Sequence, residues 1–218
     1  MGSYTTIIFD LDGTLLDTLD DLADGVNIAL AHHGFPTRTR DEVRMAVGNG
    51  VARLMEEMVP GGRDDPHFDD CLATFRREYA RISKNKTAPY AGIPALLTRL
   101  NEAGLHVAVV SNKFHDAVVE LVRYYFPQIP TAVGEREADG IRKKPAPDTV
   151  FAVMRQLDVS PDKCVYIGDS DVDIATAKNA GIDCISVTWG FRDEAFLLAH
   201  GASVLVDTPD KLGALLLD

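Results

Sequence analysis

Cysteine is scarce in this chain, and the little there is forms no pattern. Cys71, Cys164 and Cys184 are odd in number and widely spaced, with no Cys-x-x-Cys among them. Such usage argues against a disulfide framework and against a zinc site built on thiolates. Buried, reduced thiols in a cytoplasmic protein are the expectation. Long apolar runs are missing as well, so no segment reads as a helix able to cross a bilayer. The N-terminus shows no charged-then-apolar signal layout. Met1, Gly2 and Thr6 do match a myristoylation pattern, but Thr6 falls in the first predicted strand and patterns this short often match by chance. Positive charge is in short supply: 22 Lys and Arg face 33 Asp and Glu, for a net charge of -11. That balance argues against nucleic acid or an anionic membrane as partner. Internal repeats and low-complexity tracts are not seen either.

What remains is the composition of an ordinary globular protein, 46% hydrophobic and 25% charged over 218 residues. The length suits one large domain, or one domain carrying a small second one. Strand-like apolar runs recur at Thr5–Phe9, His106–Val110, Pro130–Val133, Lys163–Ile167, Asp183–Val187 and Ser203–Val206. Helix-like stretches alternate with them at Ile93–Ala103, Phe114–Tyr125, Pro147–Leu157 and Asp171–Ala180. Alternation of this kind predicts an α/β fold, a doubly wound and mostly parallel sheet with helices on both faces. One interval breaks it. From Thr18 to Ser83 the pattern is helical throughout, with helices predicted at Leu19–His33, Arg40–Ala46, Val51–Met58 and Asp64–Arg81. Leu19, Leu22, Val26 and Leu30 repeat at three or four residues, an amphipathic stripe. The predicted organisation is therefore a discontinuous core, residues 1–16 and 86–218, interrupted by a helical domain at 17–85.

The chemistry-bearing residues follow the predicted strands. Asp10 and Asp12 stand two apart just after Ile7-Ile8-Phe9, with Gly13 and Thr14 breaking the run. In an extended segment, side chains two apart point to one side. Two like charges held that close need a cation or a chemical task. Ser111-Asn112 follows the next strong strand and offers hydrogen-bond donors, although both residue types also cap helices. Lys144 precedes Pro145 and ends the basic run Arg142-Lys143-Lys144, so a cation sits on a stiffened loop; a solvated surface run is the plain alternative. Asp169, Asp171 and Asp173 follow the strand Lys163–Ile167, as ligands for a hard cation or as acids in the first turn of a helix. The carboxyl ends of parallel strands share one edge, so these sites converge. Together they form an inventory for phosphoryl transfer onto a carboxylate.

Asp-Leu-Asp-Gly-Thr-Leu from Asp10 to Leu15, then Ser111-Asn112, Lys144-Pro145 and the Gly168-to-Asp173 cluster, together resemble the haloacid dehalogenase superfamily. The helical insert lies where the small helical cap subclass carries its cap. The resemblance implies a Rossmann-like core with an inserted α-helical cap domain that acts as a lid. It implies Asp10 as nucleophile forming an aspartyl-phosphate, and Asp12 as general acid and then base. The dehalogenase branch has no aspartate at the second position, so Asp12 favours phosphate chemistry. The resemblance also implies Mg2+ held by the Asp10 carboxylate, the Asp12 carbonyl and Asp169, with Asp173 supporting that shell or Lys144. Ser111 and the Asn112 backbone, with Gly13 and Thr14, would bind the phosphoryl oxygens, and Lys144 would neutralise developing charge and orient Asp10. Lys143 is the neighbouring alternative.

Within the superfamily, Val47-Gly48-Asn49-Gly50 with Val51-Ala52-Arg53-Leu54, and Ser111-Asn112-Lys113, resemble phosphoglycolate phosphatase-like members. On that likeness Arg53 and Lys113 become candidate contacts to a substrate carboxylate; a solvated helix residue is the alternative for Arg53. The expected activity is magnesium-dependent hydrolysis of a small phosphate monoester such as phosphoglycolate, by a cytoplasmic monomer or homodimer. The competing readings are a sugar-phosphate mutase (beta-phosphoglucomutase-like), a pyrophosphatase, and a non-catalytic binding protein. His32-His33 is not a metal pair, since adjacent helix positions do not share a face. His115 and Trp189 lie near the expected edge, where a surface helix start and core packing are their plainer roles.

Overall fold

Ile7, Ile8 and Phe9 are fully buried, and so are their neighbours on both sides in the sheet, Val109, Val110, Val165 and Ile167. Only a strand covered on both faces has a use for such an uninterrupted apolar run. The computed structural model describes residues 4–217 and supplies those covers. The chain divides into two compact units, one built from the residues up to Leu16 with those from Pro89 onward, the other from Asp17 to Ala88. The second crossing thus lies at Ala88–Pro89, slightly beyond the 85/86 boundary expected from sequence.

The first unit begins with β1 (Thr6–Phe9); the chain leaves and re-enters it through two-residue strands, β2 (Leu16–Asp17) and β3 (Ala88–Pro89). Then come β4 (His106–Phe114), β5 (Thr131–Glu135), β6 (Cys164–Gly168), β7 (Asp183–Val187) and β8 (Leu205–Val206). Six of these form one sheet in the order β5-β4-β1-β6-β7-β8, and every neighbouring pair is parallel. Thr6 stands opposite His106 on one side and Cys164 on the other, so β1, β4 and β6 run in step. From β1 the chain reaches outward to both sides of the sheet, and such a reversal of strand order opens a crevice at the carboxyl edge.

Side chains along these strands alternate between two apolar clusters. Ile7, Phe9, Val107, Val109, Val165 and Ile167 belong to one; Ile8, Ala108, Val110, Cys164 and Tyr166 belong to the other. Period two is the geometry of a strand, and here it sorts an all-apolar run onto two faces. The first cluster takes in α5 (residues 93–102), α6 (115–125) and α10 (209–217); the second takes in α7 (148–157) and α8 (171–180). Each large aliphatic side chain buried this way contributes roughly 1.5–3 kcal/mol before ordering entropy is subtracted. Two short helices went unpredicted, α9 (Glu194–Ala199) and α10, because neither is long enough to show a clear period.

β4 runs further than its apolar stretch predicts, through Ser111, Asn112 and Lys113 to Phe114. Its register against β5 shifts between Val110 and Phe114, an irregularity of the kind that re-aims side chains at strand ends. Thr6 is fully buried in β1, while Met1 and Gly2 lie outside the described residues. Among the described residues no helix is long and apolar enough to cross a membrane.

The second unit consists of α1 (Leu19–His32), α2 (Arg40–Ala46), α3 (Val51–Met58) and α4 (Phe68–Ile82). The stripe Leu19, Leu22, Val26 and Leu30 is buried as its spacing predicts. Gly25 on the same face lets the stacked Phe75 and Tyr79 rings of α4 come close, 3.2 Å from where a β-carbon would sit. The predicted helix Asp64–Arg81 starts late, at Phe68. Asp65 precedes Pro66 and is held extended, and its carboxylate accepts the His67 N–H at 2.8 Å. Asp21, fully buried in α1, accepts the Lys86 and Thr87 N–H groups and the Thr87 hydroxyl, which fastens the returning segment to the helix. His33 Nε2 shares a hydrogen bond with the Thr74 hydroxyl at 3.2 Å.

Candidate active site

The end of β1 delivers Asp10, only 7% exposed, to the carboxyl edge between β4 and β6. Its N–H continues the ladder to Ile167, and its Oδ1 accepts the Leu11 N–H at 2.7 Å. The same Oδ1 lies 2.9 Å from the Lys144 Nζ. Lys144 is 2% exposed and also donates to Asp173 Oδ1 at 2.7 Å and to the Tyr166 hydroxyl at 3.1 Å. Its backbone is held by the Asn112 side chain, which accepts the Lys144 N–H at 2.7 Å and donates to the Lys144 carbonyl at 3.0 Å. Lys143 is only paired at 3.9 Å with Glu137 and plays no part in this network of contacts.

Asp173 works at two places. Its Oδ1 takes the Lys144 ammonium, and its Oδ2 accepts from the Ser170 N–H and hydroxyl at the start of α8. Asp171 is the first residue of that helix and half-buried. Asp169, 2% exposed, accepts the Thr14 hydroxyl at 3.2 Å and the Phe191 N–H at 2.7 Å. Backbone packs tightly around it: Gly13, in the left-handed region at φ +86°, and Gly190 both sit where any β-carbon would collide with the Asp169 carboxylate. Trp189 donates its indole N–H to the Thr14 carbonyl at 3.0 Å and packs on the first apolar cluster. It therefore anchors the loop that carries Gly13 and Thr14.

Asp10, Asp169 and Asp173 place carboxylate oxygens within 4.8 Å of one another, the one grouping of its kind among the described residues. Burial pushes the Asp10 carboxyl well up, and Asp173 adds to this, while Lys144 pulls it back. Burial and then Asp173 raise Asp169 to about 7, against the pull of the Phe191 N–H, Lys144 and the Thr14 hydroxyl. Burial alone would lower Lys144, but Asp10 and Asp173 outweigh it and hold the ammonium firmly protonated. Three acids gathered around one ammonium leave excess negative charge out of water, and oxygen donors in that arrangement suit a hard divalent cation.

A family model of haloacid dehalogenase-like hydrolases matches residues 7–187, which takes in Asp10, Lys144, Asp169 and Asp173. The chain belongs to that family.

Several of its relatives are phosphatases by name. A phosphoglycolate phosphatase of Pseudomonas putida is 33% identical over 211 residues, covering 92% of this chain and 75% of that protein. An N-acetylmuramic acid 6-phosphate phosphatase of Pseudomonas aeruginosa is 30% identical over 210 residues, covering 94% and 92%. Among solved structures, a phosphoglycolate phosphatase candidate from Lactobacillus delbrueckii subsp. bulgaricus superposes with a TM-score of 0.93 at 38% identity, over 100% of this chain and 99% of that one. The fold is the α/β architecture of these haloacid dehalogenase-like proteins.

Against that family background the sequence-predicted residues separate into groups. Asp10, Asn112, Lys144, Asp169 and Asp173 meet in one network, and Thr14 joins it through its hydroxyl rather than standing apart. Ser111 is 2% exposed, and its oxygen accepts the Lys113 N–H at 3.2 Å. Lys113 reaches back to Asp12, donating to both carboxylate oxygens at 2.9 Å. Arg53 lies in the second unit, half exposed, with its guanidinium on Glu56 and Glu57 of its own helix at 3.2 and 2.8 Å. His115 receives the Gly134 N–H at 3.3 Å through Nδ1, a contact that joins α6 to β5. Tyr166 escaped the sequence reading. The signal was there, a phenol in the otherwise apolar run Cys164–Gly168, where an aromatic with a polar tip calls for a partner.

Proposed function

We propose that this haloacid dehalogenase-like protein is a magnesium-dependent phosphatase that hydrolyses a small phosphate monoester carrying a carboxylate, with phosphoglycolate as the first substrate to test. The observation that carries the reading is Asp10 itself: a buried carboxylate at the sheet's carboxyl edge, 2.9 Å from a buried ammonium and beside two further acids. A structural ion pair would need no such surplus of carboxylates.

In this reading an Asp10 oxygen attacks phosphorus and the bond from phosphorus to the ester oxygen breaks. The departing oxygen takes its proton from Asp12, which then accepts a proton from the water that attacks the aspartyl-phosphate and restores Asp10. Lys144 keeps the reactive oxygen in place and offsets charge gathering on the phosphoryl group. Ser111 and the Asn112 backbone orient that group. Mg2+, with Asp10, Asp169 and the Asp12 carbonyl as its protein ligands, supplies charge neutralisation for the phosphate oxygens when bound.

The acidic substrate class rests on Lys113. Its ammonium, only 5% exposed as a residue, holds both oxygens of Asp12. Asp12 cannot hand on a proton while both oxygens accept from a cation, so this contact must be exchanged during turnover. A substrate carboxylate is a partner for which Lys113 can exchange it. The named substrates of the relatives, a phosphoglycolate and the 6-phosphate of an acid, fit that chemistry.

The deciding experiment is phosphate release, with Mg2+ and with EDTA, over a panel of phosphoglycolate, sugar phosphates, pyrophosphate and nucleotides. Mg2+-dependent release favouring an acidic monoester is the expected result. Release from none of them overturns the hydrolase reading and moves the search to phosphoryl transfer between sugar phosphates.

A further inference from the structure

Tyr166 is the middle residue of β6 and is fully buried. Its neighbours are apolar: Ile8, Ala108, Val110, Val150 and Ala177 share its cluster. Phenylalanine would fill that space without taking a hydroxyl out of water, so the phenol is tolerated there only through the hydrogen bonds it makes. It makes two. The hydroxyl donates to the Val110 carbonyl at 3.2 Å and accepts from the Lys144 ammonium at 3.1 Å.

An ammonium has three N–H donors. Those of Lys144 go to Asp10 Oδ1, Asp173 Oδ1 and the Tyr166 oxygen. Because Val110 takes the phenol proton, the hydroxyl can present only lone pairs to the lysine. Burial keeps this phenol protonated far above its ordinary range, despite the opposing pull of Lys144. Tyr166 therefore meets the lysine as a neutral acceptor and adds no further negative charge to the site.

We propose that Tyr166 is a positioning residue for phosphoryl transfer, its hydroxyl fixing the third direction of the Lys144 ammonium so that the cation stays aligned on Asp10. The inference rests on the reading of Asp10 as the nucleophile. Without the hydroxyl, one N–H of Lys144 faces the apolar cluster, and the side chain relieves this by turning away from its place beside Asp10 Oδ1.

The test is Tyr166→Phe, which keeps the ring and removes one oxygen. We expect kcat on the preferred ester to fall about tenfold, the effect of one hydrogen bond to a charged group, with KM within about twofold of wild type. The two buried hydrogen bonds lost should lower the thermal midpoint, with the variant still folded at the assay temperature. A kcat within about twofold of wild type overturns the proposal, and so does a loss that only tracks a loss of folded protein. A second measurement does not depend on turnover or on the folding of that variant. In protein labelled with 13C at tyrosine Cζ, Lys144→Met should shift the Tyr166 resonance; an unmoved resonance overturns the proposal. Should the wild-type protein release phosphate from no ester, the phosphatase reading fails while this second measurement still decides the Tyr166–Lys144 contact.

Discussion

The side-chain amide of Asn112 grips the backbone of Lys144 from both sides, accepting its N–H at 2.7 Å and donating to its carbonyl at 3.0 Å. The two residues lie 32 positions apart, one at the end of β4 and the other in the loop before α7. A side-chain amide carries a donor and an acceptor side by side, so it can satisfy a peptide N–H and carbonyl together. The expected contribution of Asn112 is its backbone at the phosphoryl group; its side chain in addition holds the Lys144 backbone.

Asn112→Ala should therefore reduce kcat more than it disturbs the fold. A misplacement of the Lys144 ammonium by about 1 Å predicts a loss on the order of 10²-fold. Two buried hydrogen bonds lost together predict roughly 1–3 kcal/mol of destabilisation. Steady-state kinetics and urea denaturation read the two effects separately, and an unchanged kcat would remove Asn112 from the positioning of Lys144.

Divalent cation should stabilise the folded protein. Asp10, Asp169 and Asp173 crowd their oxygens within 4.8 Å around one ammonium, so a bound Mg2+ relieves repulsion that the metal-free protein carries. The thermal midpoint is expected to rise with millimolar Mg2+ and to return with EDTA. Asp169→Asn should abolish that rise. A midpoint that responds equally in wild type and variant would place the cation elsewhere.

Lys113→Gln should discriminate between substrates. We expect the KM for an acidic monoester to rise about tenfold, as for one charge-assisted hydrogen bond lost, and the KM for p-nitrophenyl phosphate to change far less. Equal changes for both would argue that Lys113 serves Asp12 alone. Arg53→Ala is the companion measurement: with its guanidinium already neutralised by Glu56 and Glu57, the KM for every acidic substrate is expected to remain within about twofold.

The thiols should be inert in the native state. Burial pushes Cys71 and Cys164 up to about 11 and Cys184 to about 12. A raised pKa means that the reactive thiolate is scarce below those values, so at pH 8 a disulfide reagent such as Ellman's should show no fast phase. Unfolding in guanidinium should then expose all three at once. A rapid single-thiol reaction in the native protein would contradict this.

Much of the architecture was legible because the signals were local. The run Ile7–Phe9 announces a strand covered on both faces, and Leu19, Leu22, Val26 and Leu30 announce one helix face, since burial imposes period two or 3.6 directly on the residues. Helix ends held best where a cap or breaker marked them, as at Arg40–Ala46 and Asp171–Ala180. They slipped where a proline and an Asp turn competed with the helix, as at Phe68. β4 outran its apolar pattern because polar residues at the carboxyl edge still pair through their backbones.

By itself the sequence determined which residue types stand at the ends of which strands, and parallel strands bring such ends to one edge whatever the details of packing. It therefore contained the gathering of Asp10, Lys144 and Asp169. Only the tertiary structure decided who holds whom: Lys144 shared among Asp10, Asp173 and Tyr166, and Lys113 on Asp12. Those choices depend on distances of about 3 Å between residues scores of positions apart. Spacing along the chain carries no record of them, because they are settled by how the two faces of the sheet pack.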